Sequence, residues 1–200
     1  MLGAIGYLLG SIPVAWIVTR LVTGKDLRTL GSGNVGVMNV AISVTRWAGL
    51  VVFLGEAAKG FLAVLIAQSI VGTEIAIGVT VLATVIGTRW MVWLRFAGGR
   101  GNTVGLAAIL MLSWLTLIIG LAIWFLVRFV SGSSFWATRL SLITWPFVFG
   151  ALTSSIVYLV IGLLLSGIYL TTHQTVTDDH TLLKERWPSR PATRNRLRPP

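Results

Sequence analysis

The residues of this chain that could do chemistry are concentrated in two short, basic, glycine-rich segments. Residues 25–39 read KDLRTLGSGNVGVMN and contain three Gly, two Asn, one Ser, one Lys and one Arg. Residues 95–105 read RFAGGRGNTVG and have the same character. Backbone N–H groups and helix N-termini attract anions, glycine allows close approach, and Arg or Lys neutralises the charge. These segments predict a site for an anionic, phosphorylated ligand at a membrane surface.

The composition outside these segments is that of a membrane protein. The 200 residues are 55% hydrophobic and 11% charged, with a mean hydropathy of +0.85, whereas soluble domains carry about 25% charged residues. The net charge of +10 and the nine Trp fit interfacial belts and anionic lipid better than nucleic acid. The absence of Cys excludes disulfides, thiol catalysis and Cys-ligated metal.

The apolar runs predict an all-α integral membrane protein with about five crossings plus short or re-entrant helices. Residues 2–22, 46–70, 75–94 and 103–127 are each long enough to span a bilayer. The apolar residues 140–172, interrupted by Pro146, predict one crossing and one short or re-entrant piece. We therefore expect a single polytopic domain over residues 1–172 and a basic, polar tail over residues 173–200.

Five crossings predict which segments share a face of the membrane. Residues 20–46, residues 89–100 and the basic tail fall on one side, and the opposite side keeps only Arg128 and Arg139 in its loops. By the positive-inside rule the first side is cytoplasmic and the N-terminus is outside. Both glycine-rich segments are then expected on the cytoplasmic face.

Two polar features lie inside the predicted spans. Pro13 predicts a kink in the first span, with the Ser11 hydroxyl bonding to the carbonyl that Pro13 frees. Glu56 and Lys59 are three residues apart on one helix face and can pair. A charge in the middle of a bilayer costs about 2.5–3.5 kcal/mol or more, so both should face the bundle interior. Spacing alone fits a structural ion pair and a site component equally well.

Each polar segment also has a plainer interpretation. Gly and Asn are ordinary turn residues, so residues 31–39 could be a tight connection and residues 98–101 a flexible turn. The density of Gly beside Lys25 and Arg28 favours an anion-binding loop for residues 31–39. His173 and His180 fall in the polar tail, and two such residues support no metal site.

Several short motifs resemble a known family, the bacterial acyl-phosphate:glycerol-3-phosphate acyltransferases of the PlsY type. Over about residues 5–135 the resemblance rests on Gly10-Ser11-Ile12-Pro13, Asp26-Leu27-Arg28, GSGN at 31–34, Gly36, Asn39-Val40, Lys59-Gly60, Phe96 with GGRG at 98–101, and Arg128-Phe129-Val130-Ser131 with Ser134.

The resemblance implies transfer of a fatty acyl group from acyl phosphate to glycerol 3-phosphate, giving lysophosphatidic acid, in a bacterial cell membrane. It implies no coenzyme A, no other cofactor and no metal, and its partners are the two substrates and the bilayer, with no nucleic acid and no known protein partner. The catalytic candidates are Ser11, Ser32, Lys59 and Arg100. The substrate- and phosphate-binding candidates are Arg28, Gly31, Gly33, Asn34, Gly36, Asn39, Arg46, Gly98, Gly99, Gly101, Ser131 and His173.

The chain also departs from the family pattern. Ile42 stands where the family has Arg, with Arg46 expected one helical turn further on. Arg100 replaces a Lys, Thr88 a His and Val176 an Asn. These changes leave open a catalytically altered or inactive homologue. A small anion transporter is a further alternative, although it should place polar groups along a path through the bilayer, whereas here nearly all of them are predicted at one face.

Overall fold

The structure, a computed structural model, describes residues 1–172, and all regular secondary structure in this range is helical. His173 and the predicted tail lie outside the described residues. Two 3₁₀ turns cover Leu27–Thr29 and Val92–Leu94. The α-helices are α1 Leu2–Ser11, α2 Val14–Thr23, α3 Val37–Ser43, α4 Arg46–Ile70, α5 Glu74–Arg89, α6 Asn102–Leu112, α7 Trp114–Ser131, α8 Ser134–Thr153 and α9 Ile156–Thr172.

The predicted all-α membrane fold is confirmed. Five helical segments are long and apolar enough to cross a membrane, and α6 and α9 are shorter apolar helices. One apolar core is formed by residues of α1, α4, α5, α6, α8 and α9, and a smaller one by residues of α2, α3, α4 and the two 3₁₀ turns. The larger part of the α7 surface is exposed. The five long segments are Leu2–Thr23, Arg46–Ile70, Glu74–Leu94, Trp114–Ser131 and Ser134–Thr153.

Hydroxyl side chains define where four of the helices begin. Thr45, Thr73, Ser113 and Ser133 each precede a helix and accept a hydrogen bond from a backbone N–H in its first turn. Such caps satisfy N–H groups that have no partner within the helix. Short polar residues between apolar runs therefore set the boundaries of α4, α5, α7 and α8.

The contacts between helix ends fix the path of the chain. The Ser155 hydroxyl donates to the Glu74 carboxylate at 2.5 Å, and the Tyr169 hydroxyl donates to the Gly101 carbonyl at 3.2 Å. The start of α9 is therefore close to the start of α5. The end of α9 is close to the start of α6. Helix α8 is antiparallel to α9 through a bond from Ser166 to the Leu142 carbonyl.

Helix α7 packs along α8 through a hydrogen bond from Trp124 Nε1 to Thr138 Oγ1 at 3.1 Å. Since these positions lie on either side of the loop that joins the two helices, α7 and α8 are antiparallel. The loop between Ser131 and Ser134 is consequently on the same face of the molecule as Gly101.

This path corrects two expectations. The predicted fourth span, residues 103–127, is divided at Ser113, whose hydroxyl caps α7. Pro146 lies inside α8, and the break in the last apolar stretch falls at Ser154, which has a φ of 51°. Each break reverses the chain once more, so Arg128 and Arg139 lie towards the face of the glycine-rich segments and not on the opposite one.

The predicted kink at Pro13 is confirmed, because α1 ends at Ser11 and α2 begins at Val14. The expected bond partner is wrong, since the Ser11 hydroxyl donates to the Gly87 carbonyl at 3.3 Å. Lys59 Nζ instead donates to the carbonyls of Gly10 at 3.2 Å and Ile12 at 2.6 Å.

The expected ion pair between Glu56 and Lys59 is also confirmed. Lys59 Nζ lies 2.8 Å from Glu56 Oε1, and both residues are buried. An ammonium group has three N–H donors, and here two carbonyls and one carboxylate oxygen accept from it. Lys59 therefore links the middle of α4 to the kink between α1 and α2 through hydrogen bonds.

Candidate anion-binding site

The two glycine-rich segments converge on one cavity of about 250 Å³. This convergence was expected from the predicted topology, and it holds for the central residues of each segment. The cavity is bounded by the first segment, the start of α6, one residue of α4 and one of α5. Its lining residues are Asn34, Val35, Gly36, Val37, Met38, Glu56, Thr88, Arg100, Gly101, Asn102 and Thr103.

Gly99 brings the two segments together. It is buried, and its N–H donates to the Thr88 carbonyl at 3.0 Å. A Cβ at this position would overlap the Val35 carbonyl oxygen, so only glycine allows the backbones to approach this closely. Gly98 similarly packs against the Thr88 and Arg89 carbonyls. Gly98 and Gly99 therefore hold the second segment in place, while Arg100 and Gly101 reach the cavity wall.

Asn39 organises the first segment from behind the cavity. Its buried side chain donates from Nδ2 to the carbonyls of Leu30 at 3.0 Å and Asn34 at 2.9 Å. Its Oδ1 accepts from the Ser32 N–H at 3.2 Å and from the Ser43 hydroxyl at 3.0 Å. These bonds fix the backbone that presents Asn34 to the cavity.

The neighbouring glycines complete the turn behind the cavity. Gly31 has a φ of +53°, and a Cβ there would overlap the Asn39 amide oxygen. The N–H of Gly33 donates to the Leu30 carbonyl at 2.9 Å. Gly31, Ser32, Gly33 and Asn39 therefore form the scaffold of the loop, whereas Asn34 and Gly36 lie on the cavity wall.

The electrostatic character of the cavity favours an anion. Helix α6 begins at the wall, with Gly101 as its N-cap, and the first N–H groups of a helix have no partner within it. Helix α3 also begins at the wall, with Gly36 as its N-cap. The Arg100 guanidinium adds a full positive charge. Together these groups can bind a phosphate through charge-assisted hydrogen bonds.

Several predicted site residues do not line this cavity. Ser11 is buried against Gly87, and the exposed Ser131 hydroxyl donates to the Val127 carbonyl at 2.7 Å. Arg46 begins α4, whereas Ile42 belongs to α3, so the expectation that Arg46 lies one helical turn beyond Ile42 is wrong. His173 lies outside the described residues.

Arg28 pairs with Asp26 in the loop after α2. The shortest N–O distance is 2.7 Å, and the two side chains are 39% and 27% exposed. Hydrogen bonds from the Arg28 side chain and backbone hold the pKa of the Asp26 carboxyl well below its usual range, and the same bond raises the pKa of Arg28. The pair therefore stays charged at neutral pH.

We predict a small, pH-dependent effect of Arg28→Ala on stability. Because the Asp26 pKa is lower in the folded state, the pair's stabilisation is present above the ordinary Asp pKa of about 3.9 and is lost as the pH falls through the folded value. An exposed pair contributes about 0–1 kcal/mol. The melting temperature should therefore drop slightly at pH 7, by more than it does at pH 3. An equal drop at both pH values would show that the ion pair is not the cause.

A second, apolar groove of about 410 Å³ lies between α6, α7, α8 and α9. Its walls are mainly aliphatic and aromatic, and they include Leu106, Leu121, Trp124 and Trp145. Asn102 lines both this groove and the polar cavity. The two spaces therefore adjoin at the start of α6, an arrangement suited to a ligand with an anionic head and a hydrocarbon tail.

The fold and the cavity define a polytopic helical membrane protein with a polar, Arg-lined cavity at one end of its bundle. The chain belongs to the glycerol-3-phosphate acyltransferase family, whose sequence model matches residues 1–179. This confirms the resemblance found in the motifs. Two curated relatives of that name come from Nitrobacter winogradskyi and Syntrophomonas wolfei. The first is 39% identical over 143 residues, 72% of each chain, and the second 38% over 176 residues, 86% of this chain and 88% of the relative.

Two solved structures have the same fold. The glycerol 3-phosphate form of PlsY (YgiH), an integral membrane glycerol 3-phosphate acyltransferase, superposes with a TM-score of 0.76 at 27% identity, covering 92% of both chains. The lysophosphatidic acid form gives 0.74 at 25% identity, covering 92% of this chain and 91% of the other.

Seven lining residues are not among the individual candidates named from the sequence, for different reasons. Asn102 and Thr103 follow Gly101 at the start of an apolar run, and this pattern is a helix-start signal that could have identified them. Glu56 was predicted to pair with Lys59, with a role in the site left open, and Thr88 was noted only as a departure from the family. Val35, Val37 and Met38 carry no polar signal.

Proposed function

We propose that this chain transfers a fatty acyl group from acyl phosphate to glycerol 3-phosphate, giving lysophosphatidic acid. The observation that carries the proposal is the shared wall of Arg100 and the α6 N-terminus, which faces the start of α3 and adjoins the apolar groove at Asn102. Membership of the glycerol-3-phosphate acyltransferase family supports the same reaction.

The proposed reaction requires the protein mainly to position the two substrates and to stabilise charge. Acyl phosphate is already activated, so catalysis can consist of orienting the acceptor hydroxyl and stabilising charge on the carbonyl and the departing phosphate. Arg100 and the N–H groups at the start of α6 bind the phosphoryl charge. Asn34 and Gly36 close the site from the first segment, and Asn39 and Ser32 hold that segment in shape.

The apolar groove accommodates the acyl chain. Burial of hydrocarbon yields about 0.8 kcal/mol per CH₂ group, and the groove offers a largely apolar wall from Leu106 to Trp145. Because Asn102 lies at the junction, a chain in this groove would place its carbonyl beside the anion site.

The distribution of cations supports an orientation with the glycine-rich segments on the cytoplasmic side. In the described part of the chain, every Lys or Arg except the buried Lys59 lies in or near the face of the glycine-rich segments. The turns at the opposite face, around Gly72, Ser113 and Ser154, contain no Lys or Arg. The positive-inside rule then supports a cytoplasmic site in a bacterial cell membrane.

The experiment is an assay of purified protein with acyl phosphate and glycerol 3-phosphate. Lysophosphatidic acid should form, and the product should disappear in Arg100→Ala, which removes the cation of the cavity wall. Turnover of a different acceptor alone would overturn the assignment of glycerol 3-phosphate. Inertness towards every acceptor would favour an inactive homologue, and glycerol 3-phosphate uptake into proteoliposomes would favour a transporter.

Tyr169 should affect substrate binding through Gly101. Its hydroxyl donates to the carbonyl of this N-cap residue at 3.2 Å, and it lines the groove. Tyr169→Phe removes a bond worth about 0.5–1.5 kcal/mol, so the KM for the phosphate substrates should rise by about 2- to 10-fold. Tyr7→Phe, which removes a tyrosine bond to the Trp90 carbonyl, is the matched control. Equal effects of the two variants would contradict the prediction.

A further inference from the structure

We propose that Gly120 determines which lengths of acyl chain the protein accepts. The inference rests on the proposed acyl transfer and concerns the part of the apolar groove beyond its junction with the polar cavity. Gly120 belongs to α7 and lines this groove. A Cβ built on it would meet no side chain and no neighbouring helix within 4 Å. Glycine therefore leaves open space in the wall of the groove.

Position 120 lies on the face of α7 that borders the groove. The lining residues of this helix recur every three or four positions, which places them on one side of an α-helix. Thr116 is one turn before Gly120 and is buried, and Trp124 is one turn after it and is half-buried. A side chain at position 120 would therefore project into the groove between these two residues and not into the surrounding lipid.

The depth of Gly120 in the groove follows from the path of α6 and α7. These helices reverse direction at Ser113, so residues equally far from this break along the chain lie at similar depth. By this count Trp124 lies at the depth of Asn102, where the groove adjoins the polar cavity. Gly120 lies one turn deeper, at the depth of Leu106. The gap between Gly120 and Leu106 is therefore about 6 Å beyond the junction.

The groove continues for about one turn beyond this gap. Its inner end is lined by Ile109, Thr116 and Leu117, and the first two are buried. From the junction to Ile109 the wall formed by α6 is about 10 Å long, at a rise of 1.5 Å per residue. A chain whose carbonyl lies at the junction must pass the gap at Gly120 before it reaches the inner end.

The shape of this gap can select chain length where hydrophobicity cannot. The surrounding lipid tails are as apolar as the groove, so apolar character alone does not fix where a chain must end. A steric limit in an apolar pocket is more selective, since a single methylene changes kcat/KM by about 10- to 200-fold. The missing side chain of Gly120 therefore admits long chains, and a larger residue at this position should restrict the protein to short ones.

The test compares the full-length wild type with Gly120→Leu in acyl transfer from octanoyl phosphate and from palmitoyl phosphate. The Leu side chain fills the gap, so kcat/KM for palmitoyl phosphate should fall by about 10- to 200-fold. Most of the octanoyl chain lies before the gap, so its kcat/KM should change by less than about 3-fold. A wild-type ratio of the two values, or equal losses with both donors, would overturn the proposal.

Gly167→Leu is the matched control. Gly167 is an exposed residue of α9 that does not line the groove, and a Cβ there would also meet nothing within 4 Å. Both replacements remove a glycine from a helix interior, so they have similar effects on helix propensity. The control should keep the palmitoyl-to-octanoyl ratio within about 2-fold of wild type. A change equal to that of Gly120→Leu would overturn the proposal.

A second variant covers the case in which Gly120→Leu does not fold. Leu106→Phe narrows the same gap from α6, at a position that is 47% exposed and can accept a larger side chain. It should lower the palmitoyl-to-octanoyl ratio by about 10-fold or more, and a wild-type ratio would overturn the proposal. Each of these results leaves acyl transfer itself intact, whereas a wild type that uses neither donor would refute the proposed function.

Discussion

Replacing Arg100 with Met should lower kcat/KM for acyl transfer by about 10²- to 10³-fold, the typical loss when one preorganised donor to a developing anion is removed. Arg100 lies on the wall of the polar cavity beside the α6 N-terminus. Arg100→Lys keeps the charge but loses the planar fork of donors, so it should recover part of the activity. The measurement is initial-rate kinetics with both substrates varied.

Arg95→Met is the matched control for this prediction. Arg95 belongs to the same glycine-rich segment, but it is exposed and does not line the cavity. It should change kcat/KM by less than about 2-fold, as expected for a surface charge outside the site. Equal losses in the two variants would mean that the segment contributes only a general positive field.

Lys59→Met should destabilise the fold by about 3–5 kcal/mol, because it leaves a buried carboxylate without its partner. It also removes the donor to the Gly10 and Ile12 carbonyls at the kink between α1 and α2. The melting temperature in detergent should fall by about 10 °C. Intrinsic fluorescence can report the transition, since the chain contains nine Trp.

The double variant Glu56→Gln/Lys59→Met separates charge from packing. It removes the unpaired carboxylate, so it should be more stable than Lys59→Met alone by about 1–3 kcal/mol. A double variant that melts below the single one would show that the ion pair is not the main contribution of Lys59. The single variant would contradict the account if its melting temperature matched that of the wild type.

The predictable part of the fold is the part set by apolar periodicity and charge. The first three spans and the shared face of the two glycine-rich segments followed directly from these patterns. The division at Ser113 did not, because a single Ser inside an apolar run fits a continuous helix as well as a cap. The sequence predicted a helix break at Pro146, but α8 continues through this residue. Membrane helices tolerate a proline when neighbouring groups satisfy the freed carbonyl.

The site was predictable in location but less so in the assignment of individual residues. Gly98 and Gly99 were expected to cradle a phosphate, yet Gly99 is needed for backbone packing against Val35. Both uses of glycine arise from the same missing side chain, so residue type could not distinguish them. Similarly, the sequence gives no indication that Asn39 supports the loop from behind, because its four bonds depend on the three-dimensional turn.

The most direct test of a shared anion site is ligand protection of single cysteines, since the chain contains none of its own. Met38→Cys and Thr103→Cys place a thiol on opposite segments of the cavity, and the exposed Ser69→Cys on α4 serves as a control. Glycerol 3-phosphate at ten times its Kd should slow maleimide labelling by about 10-fold at both cavity positions and leave Cys at position 69 unaffected. Protection at only one cavity position, or at neither, would contradict a single site formed by both segments.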